Sequence, residues 1–169
     1  MAKNARGLIC VSLPKKRADQ LKLSPMVNKN TARLGTAFTE SVDYSIGTTT
    51  GISAFDRART IAALISPETR CEDLGRPGHI FPILSVDGGV LRRAGHTEAS
   101  IDMMKMAGLY PSGVICEIMD DNGDMARLPK LLKFAKEHDL AIITIADLIE
   151  YRRRTEKLIE QVTSAKLPT

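Results

Sequence analysis

The stretch 92–99 holds the residue types that a phosphate and metal site needs: two arginines, a glycine and a histidine before a predicted helix. Thr97 is expected to cap that helix, whose first-turn N–H groups then lack partners in the helix and favour an anion. Arg93 can hold the same anion with two parallel hydrogen bonds, and a neutral His96 can ligate a metal. The stretch 92–99, called the octet below, therefore predicts a sugar-phosphate site.

A simpler interpretation of the octet stays open, because a basic pair before a capped helix often only closes a surface turn. The chain has three histidines. His79 lies in a similar turn rich in Gly, Pro and Arg, 76–82, which favours a role for both segments. His138 ends an amphipathic stretch, where a cation suits the helix dipole, so we interpret it as structural.

Glu117 interrupts an apolar run, 114–119, that otherwise has the composition of a buried segment. Burying a carboxylate is costly unless a metal or a partner compensates it, so the pattern favours a functional role for Glu117. Cys10 and Cys116 have a different interpretation, because such cysteines are more often small core residues than nucleophiles.

Two polar turns carry weaker signals. The Gly/Thr turn 47–51 offers hydroxyls and open backbone before a helix, which can hold a phosphate or sugar, but it lacks the lysine of a Walker motif. Asp120, Asp121 and Asp124 could bind calcium, yet they lack the loop length and closing Glu of an EF-hand. We therefore expect these three aspartates to form a turn.

Composition limits the class of protein. A chain of 169 residues with 43% hydrophobic content suits one domain. The net charge of +4 could suggest nucleic acid, but the basic residues are dispersed and aromatics are 4%. The arginines at 152–154 share a predicted helix with Glu150, Glu156 and Glu160, which is the pattern of a solvated face. Three cysteines without metal spacing, no leader pattern and no apolar run of membrane length predict a cytoplasmic protein that binds neither nucleic acid nor membrane.

Periodicity and turn residues predict an α+β fold, a single-domain layered α/β sandwich with a mixed sheet. Asp87-Gly88-Gly89 and the turn 120–123 are hairpin signals. The predicted strands are 7–13, 36–42, 80–86, 90–93, 113–119, 124–128 and 141–145. The predicted helices are 15–23, one from Ser53 or Asp56 to the residues before Pro67, one from Thr97 to Gly108, one from Pro129 to His138, and one from Asp147.

Several long blocks of the sequence resemble one family, 3,4-dihydroxy-2-butanone 4-phosphate synthase of riboflavin biosynthesis. They stand in the order and spacing of that family from about Gly7 to Tyr151. The blocks are Gly-Leu-Ile-Cys at 7–10, Asn-Lys-Asn-Thr at 28–31, Gly-Thr-Ala-Phe-Thr at 35–39, Gly-Thr-Thr-Thr-Gly-Ile-Ser-Ala at 47–54 before Asp56-Arg57, Gly-His-Ile-Phe-Pro at 78–82, Asp-Gly-Gly-Val-Leu at 87–91, 93–99, and Cys116-Glu117.

The resemblance implies an enzyme that converts D-ribulose 5-phosphate into L-3,4-dihydroxy-2-butanone 4-phosphate and formate, with Mg²⁺ or Mn²⁺. His96 matches the family's metal-ligand histidine. Glu117 matches an essential carboxylate that contacts substrate, His79 matches a second essential residue, and Cys10 matches a cysteine near the reacting sugar. The substrate-binding residues implied are Arg93, Ala94, Gly95, His96 and Thr97 of the phosphate loop, with Glu117 and Thr50.

The resemblance also implies a homodimer, because the family's active site lies at a two-fold interface. We expect the Gly/Thr turn and the His79 segment to act within or across subunits, and the sequence leaves both arrangements open.

One departure from the family pattern is large. Members begin with a strand and an acidic loop reading close to Asp-Arg-Glu-Asn-Glu-Gly-Asp, whose first Glu is the other protein ligand of the metal. Here 1–6 leads directly into the predicted strand 7–13. We therefore expect an N-terminally truncated synthase domain over 1–169, with 152–169 forming a C-terminal helix and linker toward a GTP cyclohydrolase II domain. Two hypotheses remain: an active synthase, or a non-catalytic remnant that keeps the fold, the sugar-phosphate pocket and the dimer surface.

Overall fold

The computed structural model describes residues 1–156. Within this part of the chain, four strands and five helices alternate as far as the fourth helix, which the fifth follows directly, and two short 3₁₀ turns lie at Cys71–Asp73 and Gly89–Leu91. The strands are β1 Cys10–Leu13, β2 Val42–Tyr44, β3 Leu74–Leu84 and β4 Gly113–Ile115. The helices are α1 Lys15–Gln20, α2 Ala54–Ile65, α3 His96–Met106, α4 Leu128–Glu137 and α5 Ile145–Thr155.

The strands form one mixed sheet in the order β2-β3-β1-β4. β1 pairs parallel with β3 and antiparallel with β4, and β2 pairs antiparallel with β3. The central position of β1 follows from its sequence, because a short apolar run without charges suits a strand with neighbours on both sides. The predicted α+β class and mixed sheet are confirmed.

The main hydrophobic core covers one face of this sheet. Val11 and Leu13 of β1 are fully buried there against α1 and against Leu64 of α2. α2 forms as predicted: Ser53 caps it by accepting a hydrogen bond from the backbone N–H of Asp56, and it ends before Pro67. These helices make the first layer.

The helix α3 covers the opposite face of the sheet. Ser12 of β1 alternates with the core residues and points away from them, and its Oγ lies 2.6 Å from the Oγ of Ser100 on α3. The same Ser12 hydroxyl lies 3.0 Å from the carbonyl oxygen of Gly113 on β4. A sheet between α1 and α2 on one side and α3 on the other is the layered sandwich that the sequence predicts.

The predicted hairpin at 87–89 is wrong. The chain enters a 3₁₀ turn at Gly89–Leu91 rather than a second strand. The backbone N–H of Val90, which a strand would donate to its neighbour, instead donates to the buried carboxylate of Asp102 at 2.7 Å. This contact from α3 overrides the local hairpin signal.

The predicted buried strand 141–145 is also wrong. Ile142 and Ile143 are about half exposed and belong to no strand. Thr144 and Asp147 instead cap each other's backbone N–H groups, so α5 begins at Ile145, two residues earlier than predicted.

Three other predicted strands are shorter than expected: 7–13 becomes β1 only from Cys10, and 36–42 and 113–119 are shortened as well. Of 36–42 only Val42 belongs to β2, while Phe38 and Thr39 form single bridges to distant residues. β4 ends at Ile115, and the hairpin expected beyond it is reduced to one bridge between Met119 and Met125. Helix α1 also ends early, at Gln20 rather than residue 23.

The predicted solvated face at 152–154 is wrong for Arg152. Its guanidinium donates to the carboxylate of Asp102 at 2.8 Å and to the carbonyl oxygen of Gly88 at 2.9 Å. Only 13% of the Arg152 side chain and 3% of the Asp102 side chain are exposed. α5 therefore holds the turn that leads into the octet 92–99. The predicted linker beyond residue 156 lies outside the described residues.

Replacing Arg152 by leucine is expected to lower the free energy of unfolding by about 3 kcal/mol, because it leaves the buried carboxylate of Asp102 without its cation. Arg154→Leu is the matched control, since Arg154 and its partner Glu150 on the same helix are both about 70% exposed. The control should change stability by less than about 1 kcal/mol. Urea unfolding measures both, and equal losses would contradict the assignment.

No helix among the residues described is both long enough and apolar enough to cross a bilayer.

Candidate active site

The pairing register of the strands places three predicted site residues, His79, Cys10 and Glu117, on the same face and at the same end of the sheet. Cys10 pairs with Phe81 on β3 and with Ile115 on β4. His79 lies two residues before Phe81, and Glu117 lies two residues after Ile115. Because side chains alternate along a strand, both belong on the Cys10 face, at the N-terminal end of β1. His79 and Glu117 lie on the two neighbours of β1, so two strand spacings, roughly 10 Å, separate them.

Glu117 is anchored to the chain just before β1. Its Oε2 accepts a hydrogen bond from the backbone N–H of Leu8 at 2.9 Å, and its carbonyl oxygen accepts one from Gly7 at 3.2 Å. A Cβ on Gly7 would lie 2.6 Å from Oε2, so only glycine allows this approach. The burial predicted for Glu117 is wrong: the residue is exposed, because β4 is an edge strand. Its carboxylate is accessible to a ligand.

Cys10 is buried next to Glu117. Burial is the main cause that raises the pKa of its thiol to about 12, and the charges of Glu117 and Cys116 raise it further. The thiol is therefore protonated at neutral pH, which is unfavourable for a nucleophile. At this position Cys10 contributes a small, neutral wall beside the Glu117 carboxylate.

His79 is held by an aspartate that the sequence analysis missed. The Oδ2 of Asp43 lies 2.6 Å from Nδ1 of His79, and Oδ1 of Asp43 accepts the backbone N–H of His79 at 2.9 Å. Asp43 directly follows the predicted strand 36–42, and a charged residue at a strand end was the only signal for it in the sequence.

The Gly/Thr turn lies against the same histidine, since a Cβ on Gly51 would lie 2.8 Å from Nδ1 of His79. Asp56 shapes this turn, because its Oδ2 accepts hydrogen bonds from the Thr49 hydroxyl at 2.7 Å and from the Gly51 backbone at 3.1 Å. The Thr49 hydrogen bond is the main reason that the pKa of Asp56 lies below its ordinary value. The next residue, Thr50, is exposed at the tip of the turn. His79 and Thr50 thus belong to one group of residues, the His79 group.

The octet forms a second group, the Arg93 group, around a buried glutamate. Arg93 donates to Oε2 of Glu98 at 2.6 Å and to the carbonyl oxygen of Leu34 at 3.0 Å. Glu98 is fully buried and also accepts the backbone N–H of Val86 at 3.2 Å. Both terminal nitrogens of Arg93 are engaged, but each retains a second hydrogen for an anion. Glu98 was not singled out in the sequence, although it lies in the octet.

The start of α3 differs from the prediction by two residues. Gly95, not Thr97, is the N-cap, and no described side chain caps the helix there. Thr97 is 5% exposed and lies inside the first turn, so it cannot act as the cap. The first-turn N–H groups are consequently left for an anion, as expected, with Ala94 and His96 exposed beside them.

Residues 1–156 do not form a complete site for a divalent cation. No group of three or more His, Cys, Asp or Glu side chains there could hold a metal. A hard cation such as Mg²⁺ prefers several oxygen ligands, so the single imidazole of His96 does not fit it alone.

Two open cavities of the described chain lie away from the predicted site. One is lined by the acidic turn with Lys130, and the other by Arg17, Thr69 and Arg70 among others. Neither includes a predicted site residue. The acidic turn is a structural turn as predicted: Asp120 pairs with Lys130, and Arg6 pairs with Asp121 at 3.0 Å.

The sequence and fold can now be compared with known proteins. Residues 1–151 match the family model of 3,4-dihydroxy-2-butanone 4-phosphate synthase. The chain belongs to this family. A riboflavin biosynthesis protein RibBA of Aquifex aeolicus is 60% identical over 171 residues, which cover 100% of this chain and 42% of that protein. A 3,4-dihydroxy-2-butanone 4-phosphate synthase of Neisseria meningitidis serogroup B is 54% identical, with 100% and 47% covered.

Solved structures of the synthase family share the fold. A two-domain 3,4-dihydroxy-2-butanone 4-phosphate synthase, RibBX of A. baumannii, has a TM-score of 0.90 and 45% identity, covering 100% of this chain and 50% of that one. A synthase in complex with two magnesium ions has a TM-score of 0.87 and 40% identity, covering 92% and 77%. The chain thus spans less than half the length of the two curated relatives named above.

Cys10 is expected to be the slowest of the three cysteines to react with iodoacetamide in the folded protein. A pKa of about 12 instead of 9.0 leaves about 1,000 times less thiolate at pH 8. Peptide mass spectrometry after timed labelling measures the three rates, and labelling in urea, where all three should react alike, is the control. Native labelling of Cys10 as fast as Cys71 would refute the buried thiol.

Asp56→Asn is expected to destabilise the protein mainly above about pH 4. The folded protein lowers the pKa of Asp56 below 3.8, so its ionised form adds stability at neutral pH that is lost as pH falls through the lowered value. Urea unfolding at several pH values measures the difference between wild type and variant. A difference that does not shrink on acidification would show that Asp56 does not titrate as described.

Proposed function

We propose that this chain converts D-ribulose 5-phosphate into L-3,4-dihydroxy-2-butanone 4-phosphate and formate, the reaction that its family resemblance implies. The observation that carries the proposal is the pairing of β1 with β3 and β4, which gives His79, Cys10 and Glu117 one face and one end of the sheet. Glu117 and His79 form an acid/base pair on either side of the small, neutral Cys10 side chain. Such a pair suits proton transfer at a carbon next to a ketone.

The proposed chemistry begins with removal of a proton from the carbon next to the ketone. Glu117 is the proposed base, because its carboxylate is accessible and already oriented by the Leu8 amide. His79 is proposed to exchange a proton with the substrate through Nε2, since Nδ1 is held by Asp43. Loss of formate follows a shift of the carbon skeleton, which requires a substrate fixed at its far end.

Substrate fixation is assigned to the Arg93 group. The phosphate would bind the first-turn N–H groups of α3 at His96 and Thr97, with the second hydrogens of the Arg93 guanidinium, while the N–H of the N-cap Gly95 donates to the Arg93 carbonyl oxygen at 2.8 Å. Support comes from the ion pair between the half-buried Arg93 and the buried Glu98, which orients the guanidinium before substrate arrives. Ala94 is small enough to leave the approach open.

The cation of the proposed reaction is Mg²⁺ or Mn²⁺, with His96 as the protein ligand from this chain. The relative solved with two magnesium ions supports the choice. Because a lone imidazole is incomplete for such an ion, its remaining ligands would come from substrate, water or further protein groups. We therefore assign no step of the reaction to the cation.

A homodimer is part of the proposal. Within one chain, no described hydrogen bond joins the His79 group to the Arg93 group. A two-fold pair could bring Thr50 and His79 of one subunit to the phosphate corner of the other, and the family resemblance implies an active site at a two-fold interface.

We also propose that the full-length protein carries a GTP cyclohydrolase II domain, since a relative in Arabidopsis thaliana, of which this chain covers 32%, is named bifunctional.

The cytoplasmic location stays a prediction.

The activity is tested by incubating the chain with ribulose 5-phosphate and magnesium chloride. The formate released is measured by coupling to formate dehydrogenase. The wild type should release formate, and Glu117→Gln should lower the rate by about 100-fold or more, because Gln keeps the shape but cannot take the proton. Glu137→Gln, at the exposed end of α4, is the matched control and should change nothing. No formate from the wild type would refute the activity for this chain and favour the non-catalytic remnant.

A further inference from the structure

We propose that Asp43 is the positioning residue of His79: it fixes the ring so that Nδ1 carries the hydrogen and Nε2 is the nitrogen that exchanges protons with substrate. This inference rests on the proposed function for the role of His79 in the reaction, but the state of the ring can be measured without any activity.

The first support is an irregularity of the sheet that serves no regular pairing. β2 and β3 pair Val42 with Ile80 and then Asp43 with Gly75, so residues 76–79 of β3 have no partner on β2. Such bulges redirect side chains and are frequent beside active sites. Here the excess chain carries His79 back toward the side chain of Asp43.

The second support is the double contact between the two residues. One carboxylate oxygen of Asp43 accepts the backbone N–H of His79 at 2.9 Å, and the other lies 2.6 Å from Nδ1. The first bond fixes the carboxylate relative to the chain that carries the ring, and the second fixes the ring itself. Because a carboxylate has acceptor oxygens only, Nδ1 must be the donor, which leaves the lone pair of the neutral ring on Nε2.

The third support is the room left for this pair by Gly51. Gly51 has a φ of +89°, and a Cβ there would lie 2.5 Å from Cγ of Asp43 and 2.8 Å from Nδ1 of His79. The Gly/Thr turn can close over the pair only because this position has no side chain. Three separate segments thus converge on a contact that the core does not require.

The exposures of the two side chains fit a positioning role. The Asp43 side chain is 18% exposed, whereas His79 is 42% exposed. A carboxylate that is mostly covered and satisfied by two donors is suited to hold its partner, while the more open ring is suited to meet a ligand.

The tautomer of His79 tests the proposal directly. Long-range ¹H–¹⁵N spectra of the 169-residue chain with ¹⁵N-labelled histidine distinguish protonated from unprotonated ring nitrogens when the rings are neutral. The chain has three histidines, and His79→Gln identifies the signals of His79 by their loss. We expect Nδ1 protonated in the wild type. Asp43→Ala should shift the ring toward the Nε2-protonated tautomer or an exchanging mixture, and an unchanged tautomer would overturn the proposal.

The matched control is Asp73→Asn. Asp73 also accepts a backbone N–H, that of Arg70 at 2.8 Å, and precedes the same strand β3, but it does not contact His79. It should leave the His79 signals unchanged, and an equal shift in this variant would also overturn the proposal. If Asp43→Ala does not fold, Asp43→Asn provides the same measurement, because its NH₂ group must face one of the two donors of His79.

Turnover then separates positioning from structure. Asp43→Asn should lower kcat by about 10- to 100-fold, the usual effect of losing a group that orients a functional histidine, with KM changed less than about threefold. A tautomer shift with unchanged kcat would overturn the role in catalysis. A wild type that forms no formate would refute the proposed function, while the spectra would still decide whether Asp43 orients His79.

Discussion

The position of β1 between a parallel and an antiparallel neighbour is the constraint on which the site depends. Because side chains alternate with a period of two, a slip of one residue would move Cys10 to the core face and Val11 to the site face. The fully buried Val11 and Leu13 make that slip costly, since they would leave the core. The hydrophobic core thus fixes where His79 and Glu117 stand relative to each other, although neither belongs to it.

Carboxylates fix the loops in the same way that β1 fixes the strands. Asp56 holds the Gly/Thr turn, Glu98 holds Arg93 and Val86, and Asp102 holds the 3₁₀ turn that leads into the octet. A buried carboxylate is costly without partners, so each of them requires several donors at once. Loops held by such sets have few alternative conformations, which suits a site that must be formed before substrate binds.

The sequence predicted those features whose signals are local. The cap of α2 at Ser53, the helix α4 and the turn at 120–124 depend on neighbouring residues, and they formed as expected. The strand at 141–145 failed because the Thr144–Asp147 cap was a stronger local signal than apolar composition. Asp43 could not be found in advance, since its role requires the bulge that brings His79 across from another strand. The family blocks made His79 and Glu117 candidate site residues, but they did not point to the residues that hold them.

Some of the arginines that make the chain basic have a structural role, which composition alone does not reveal. A small sheet with long connections leaves many loop carbonyl groups that need donors, and a guanidinium supplies five. Arg17 is 6% exposed and donates to the carbonyl oxygens of Leu64 and Ser66 at the end of α2. Arg76 donates to those of Leu21, Cys71 and Leu74. The positive charge of these two arginines is therefore used inside the fold, where it holds loop carbonyl groups.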